Sequence, residues 1–195
     1  MFVIVRHGNT FEAGERPRRI GARTDLPLTA TGLKQAEALG VNFMAREFGF
    51  GRILVSPLAR TQQTAWAIVA QLANTPKPET ADWLREIDHG PDEDRTEPEV
   101  LTRVGAAALA AWDARAVPPP GWTVDAEARI AGWRALFAQE CRPTLLVTSN
   151  GAARFALVAA GGEVGGDMKL ATGAYGVIRK ACDGTLSVSE WGTRP

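Results

Sequence analysis

The chain is short of cysteine and histidine, carries no net charge and has no long apolar run, and each shortage argues against a class of protein. Two cysteines among 195 residues, Cys141 and Cys182, make neither a disulfide scaffold nor a CxxC metal pair. A reducing compartment and a small packing role for each are expected. Lys plus Arg is 22 and Asp plus Glu is 22, which argues against a general nucleic-acid binder, since that needs a net basic face. No stretch reaches the ~18 apolar residues of a membrane span. Arg6 and His7 interrupt the apolar opening, so a secretory leader is not expected either. These features point to a soluble, cytoplasmic protein without nucleic-acid or membrane partners, long enough for one domain with a sizeable core.

What is present is an alternation of strand and helix patterns. Phe2–Val5 is a short β-branched apolar run. LTATGLKQAEALGVNFMAREF follows as a helix with Leu33, Ala36, Leu39 or Gly40, and Phe43 on one face, capped by Thr29 or Thr31. RILVSP is a second strand and LARTQQTAWAIVAQLA a second helix, its stripe Ala65, Ile68, Val69 and Leu72. NTPKPET reads as a loop and ADWLREI as a third short strand. From Asp88 to about Asp125 the text turns acidic and proline-bearing. It then runs through a helical VLTRVGAAALAAWDARA to the rigid connector VPPPGW, as expected of a lid-like insertion at about 88–125. DAEARIAGWRALFAQE is helical, TLLVTSNG is a buried strand and AARFALVAA a helix. GVIRKACDGTLSVSEWG reads as a hairpin turning at Asp183-Gly184. The expected fold is one α/β domain over residues 1–195, with a mostly parallel central sheet, an antiparallel edge hairpin and helices on both faces.

Three apolar runs end in polar, turn-forming text: Arg6-His7-Gly8, Ser56-Pro57-Leu58-Ala59-Arg60-Thr61, and Thr148-Ser149-Asn150-Gly151. If these strands are parallel neighbours, their endings converge on the sheet edge where α/β proteins bind ligands. Two arginines, a histidine, hydroxyls and two helix N-termini in one place suit a tetrahedral oxyanion. The expected ligand is phosphate or a small phosphorylated substrate.

RHG after the first strand, then TDLPLTATGLKQA, SPLARTQQTA, LREIDHG and SNGAARF, resemble in order the motifs of the histidine phosphatase superfamily, the phosphoglycerate-mutase-like fold. The resemblance implies a phosphomonoester hydrolase. His7 is similar to that family's nucleophile and would form a phosphohistidine. Arg6 and Arg60 would hold the non-bridging oxygens. Gly8 would let the backbone orient His7 through its other ring nitrogen. Glu86 stands where the family carries its proton donor. No cofactor and no metal is implied.

The chain departs from that pattern in three places. The family's S-H-G is here Ser149-Asn150-Gly151, so Asn150 offers the phosphoryl group a neutral hydrogen bond. Trading a charged for a neutral bond predicts a slow enzyme, with a phosphate-binding protein without turnover as the alternative. A mutase is the lesser alternative, because no long segment follows the final hairpin. Asn9 stands in place of Glu or Gln, at a phosphate-binding position. The text after Glu86 lacks a W-E-G-like continuation, so the substrate is open, as is the oligomeric state. His89 could supply the missing imidazole or be an exposed loop histidine.

Other features read more plainly. Asp88, Asp92, Glu93 and Asp94 match no ligand loop and read as a solvated acidic stretch. RPRRIGAR is either a grip for an anionic substrate tail or a solvated loop. AGGEVGGD follows a helix and reads as a turn. The tryptophans read mostly as core, with Trp122 a candidate for the pocket mouth.

Overall fold

Backbone polar groups in an apolar run need partners from a neighbouring run, and here the runs pair into one sheet. In the computed structural model, which describes residues 1–161 and 168–195, the strands are β1 (Phe2–Arg6), β2 (Arg52–Val55), β3 (Glu79–Thr80), β4 (Thr144–Thr148), β5 (Tyr175–Lys180) and β6 (Leu186–Thr193). Their order is β3-β2-β4-β1-β5-β6. The first four in that order run parallel, and β5 is antiparallel to both β1 and β6. The mostly parallel sheet with an antiparallel edge is therefore as the sequence suggested.

Successive side chains alternate between the faces of the sheet, and each set finds its own helices. Val3, Val5, Ile53, Val55, Leu145 and Val147 pack with Leu39 and Phe43 of α1 (Ala30–Ala45) and Ala65 and Ile68 of α2 (Ala59–Val69). Phe2, Ile4, Leu54 and Leu146 face the other way. They join a core shared by α3 (Glu97–Val104), α4 (Ala106–Arg115), α5 (Ala126–Gln139) and α6 (Asn150–Ala160). Burial on both faces explains why the central strands read as continuous apolar runs. No helix among the described residues is long and apolar enough to cross a membrane.

Thr29 caps α1, its hydroxyl accepting from the Gly32 N–H at 3.0 Å. Leu33, expected on the inner face, is exposed, and Gly32 lies inward instead. The reason is contact with the loop after β1. A Cβ on Gly8 would lie 2.2 Å from the Gly32 carbonyl oxygen, and one on Gly32 2.1 Å from that of Asn9. Two glycines thus let the loop carrying His7 rest on the first turn of α1.

Other expectations need correction. ADWLREI forms a single 3-10 turn, Asp82–Leu84, and the short strand lies just before it at Glu79–Thr80. VLTRVGAAALAAWDARA is two helices, broken where Gly105 takes φ +78°, a conformation that would strain other residues. Cys141 and Cys182 are exposed rather than packed, since one follows α5 and the other sits in the hairpin turn. Of AGGEVGGD, Gly161 ends α6 at φ +66°, while residues 162–167 lie outside the described residues.

Candidate active site

Parallel pairing places Arg6 opposite Thr148 and Val55 opposite Val147, so β1, β2 and β4 end level with one another. A cavity of about 630 Å³ opens at this edge, with Arg6, His7, Asn9, Glu86 and Asn150 in its walls. Gly8 and Arg60 do not line it.

His7 is buried, and its Nδ1 lies 2.7 Å from the Gly8 carbonyl oxygen. A carbonyl can only accept, so Nδ1 carries the proton and Nε2 keeps its lone pair. Burial, then the charges of Arg60 and Arg6, push the imidazole well below its ordinary 6.5. The ring is therefore neutral at pH 7. Gly8 is held in turn, its N–H donating to Thr64 Oγ1 at 3.2 Å.

The two arginines sit differently. Arg6 lines the cavity, with one guanidinium nitrogen donating to the Leu170 carbonyl at 2.6 Å. Burial brings it down to about 10, Glu86 opposing the fall and Arg60 adding to it, so it remains a cation. Arg60, expected to hold the non-bridging oxygens, is not among the residues lining this cavity. Its guanidinium is fully buried and donates to the carbonyls of Thr24 at 2.9 Å and Gly21 at 3.1 Å. It contributes positive charge beside His7 from behind the wall. The loop it grips is fastened from the far side by Glu93, which accepts from the backbone N–H groups of Gly21, Arg23, Thr24 and His89.

Glu86 faces the first turn of α6. Its carboxylate accepts from Gly151 at 3.0 Å, Ala152 at 3.1 Å and its neighbour Ile87 at 2.9 Å. A Cβ on Gly151 would lie 2.3 Å from Glu86 Oε1, so only glycine admits the carboxylate here. The helix N-termini expected to receive an oxyanion are thus already engaged by the chain's own carboxylates. Asp25 does the same for α2, accepting from Ala59 N–H at 2.8 Å. Asn150 accepts from the Leu170 N–H at 2.9 Å through Oδ1. That fixes the amide orientation and leaves its NH₂ as the group with donors to offer. Asn9 is held by Gln35 through its backbone N–H and by Thr172 at its side-chain oxygen.

Residues 2–176 match the sequence model of the Histidine phosphatase superfamily (branch 1). The chain belongs to this superfamily. Over 88 residues it is 43% identical to "Probable phosphoglycerate mutase GpmB" of Salmonella typhi, which is 45% of this chain and 38% of that protein. The protein of the same name from Enterobacter sp. (strain 638) is 47% identical over 62 residues, 32% of this chain and 27% of that one. The chain therefore spans less than half the length of these curated relatives. The fold is similar to that of mycobacterial glucosyl-3-phosphoglycerate phosphatase, with a TM-score of 0.80 at 20% identity over 100% of this chain and 99% of that one. It is also similar to the alpha-ribazole phosphatase from Shigella flexneri, with a TM-score of 0.74 at 22% identity over 99% and 96%.

In this histidine phosphatase superfamily member the acidic segment after Glu86 is not simply solvated. Asp92 is buried, bonded to Arg103 and to the Trp122 indole N–H at 2.7 Å. Trp122 is consequently drawn into the core and does not line the cavity, where Trp112 stands instead. His89 is buried rather than exposed. It lines the cavity and lies 3.5 Å from Glu93 through Nδ1. Within RPRRIGAR, Arg18 and Arg19 line the cavity but are ion-paired with Asp94 and Glu97. Among the described residues no group of three His, Cys, Asp or Glu side chains is placed to hold a metal ion. Glu93, Gly151 and Leu170 escaped the sequence reading because their roles depend on contacts across 20 to 72 positions.

Proposed function

We propose that this chain hydrolyses a small phosphomonoester through a phosphohistidine on His7. The observation that carries the reading is the Nδ1–Gly8 hydrogen bond, which leaves Nε2 of a neutral imidazole available next to the Arg6 cation in the cavity. In the first step the Nε2 lone pair attacks phosphorus and the P–O bond to the leaving group breaks. Arg6 holds non-bridging oxygens, Asn150 donates its neutral NH₂, and Arg60 lowers the cost of the anion from behind. Glu86 gives its proton to the departing alkoxide. Three backbone N–H groups fix its carboxyl at the cavity wall, and one lone-pair position on Oε2 is left for the transferred proton. A water then loses a proton to Glu86 and attacks phosphorus, the P–N bond breaks, and phosphate leaves with His7 neutral again.

A second reading, a phosphate-binding protein without turnover, is favoured by Asn150, which brings no charge where the superfamily pattern carries histidine. Turnover of p-nitrophenyl phosphate, loss of it in His7→Ala, and capture of an acid-labile phosphoryl group on His7 test the first reading. Phosphate binding with no release of nitrophenol from a broad ester panel would leave the second.

A further inference from the structure

Four arginines line the cavity, and their partners divide them. Arg18 and Arg19 are ion-paired with Asp94 and Glu97. Among the described residues Arg6 donates to a carbonyl, that of Leu170, and has no carboxylate in an ion pair with it, and it lines the cavity where the phosphoryl group is proposed to sit. Arg194 follows β6 at the cavity wall, exposed, and makes no ion pair or hydrogen bond with any described residue. Its charge nevertheless reaches the site, where it adds to the repulsion felt by Arg6. Lys169 lines the cavity as well.

A phosphomonoester dianion engages Arg6 with Arg60 behind it, and Glu86 is the carboxylate at that end. Arg194, in the wall of the same cavity, is then left with no anion of its own among the described residues. A volume of about 630 Å³ is ample for a leaving group beyond the phosphoryl moiety, since cavities of roughly 300–1,000 Å³ hold drug-sized ligands.

We propose that Arg194 reads a second anionic group on the substrate, a carboxylate or a further phosphate carried by the leaving group, and so sets the specificity of this site. The proposal rests on the phosphoryl-site reading above, but it concerns binding and not turnover. A guanidinium suits either anion because its fork matches two oxygens at once.

Three non-hydrolysable probes of matched length separate the cases by calorimetry: butylphosphonate, 4-phosphonobutyrate and butane-1,4-bisphosphonate. The unaltered protein is expected to bind one or both of the doubly anionic probes at least ~10-fold more tightly than butylphosphonate, the scale of one charged hydrogen bond. Whichever of the two shows the preference identifies the anion. Arg194→Gln should abolish that preference, weakening butylphosphonate far less than the preferred probe, and Arg194→Lys should keep part of it. Equal binding of all three probes overturns the proposal, as does a preference that survives in Arg194→Gln. No binding of any probe overturns the phosphoryl-site reading and this one together. A preference that vanishes in Arg194→Gln, in a protein that turns over no ester, upholds the proposal and sinks only the hydrolase.

Discussion

Glu93→Gln tests whether the acidic segment fixes Arg60 through the loop between them. Glu93 is nearly buried, and its carboxylate gathers the N–H groups of Gly21, Arg23, Thr24 and His89. Burial opposes its ionisation, yet hydrogen bonds from His89, Thr24 and Gly21 outweigh that and hold it at about 2 against an ordinary 4.5. At ~1.4 kcal/mol per tenfold, the difference corresponds to roughly 3 kcal/mol of folding stability. Because the folded value is depressed, this contribution is complete above the ordinary carboxylate range and drains away as pH falls toward 2. Glutamine keeps the length but replaces one acceptor oxygen with an NH₂ that confronts a backbone N–H. The expected loss in urea unfolding is about 2–3 kcal/mol at pH 7, shrinking to ~1 kcal/mol at pH 3. The loop carbonyls that hold Arg60 should loosen together with it, so vanadate inhibition at pH 7 should weaken several-fold. An undiminished stability at pH 7, or an equal loss at pH 7 and pH 3, would refute the reasoning.

Three further perturbations address the site directly. Glu86→Gln should slow alkyl phosphates far more than p-nitrophenyl phosphate, whose leaving group departs without a proton; equal losses would make Glu86 purely structural, a brace for α6. Asn150→His should raise turnover by roughly tenfold, the scale of a charged for a neutral hydrogen bond. A fall would show that the Asn150 contact with Leu170 N–H matters more than the missing charge. His7 is held well below 6.5 by burial and by Arg60 and Arg6, so below pH 6.5 the unfolded chain takes up a proton that the native pocket refuses. Stability should therefore fall as pH drops from 6.5, by up to ~1.4 kcal/mol per unit, and His7→Gln should remove that slope. Identical pH dependence of the two proteins in urea would contradict it.

The sequence by itself determined the strands and where they end. Phe2–Val5, Ile53–Val55 and Leu145–Val147 are apolar on both faces, and a run without alternation has few places to go except a doubly covered parallel sheet. A polar tripeptide after such a run must emerge at the sheet edge, so Arg6, His7 and Asn150 were legible from the strand ends, whereas Glu86 was named only by the family resemblance. The glycine of RHG was legible too, since a missing side chain in a polar turn announces close approach. What each side chain touches was decided only by the tertiary structure. Arg60 looks identical in sequence whether it grips a ligand or the carbonyls of Gly21 and Thr24. Glu93 reads as one acid among four until the loop 70 positions earlier folds onto it. Arg194 becomes notable only when the β5–β6 pairing carries it back to the cavity wall and leaves it without a carboxylate among the described residues. Local pattern reports burial because burial is a property of one segment's faces. A hydrogen-bond partner is a property of two segments, and sheet register together with helix packing chooses it.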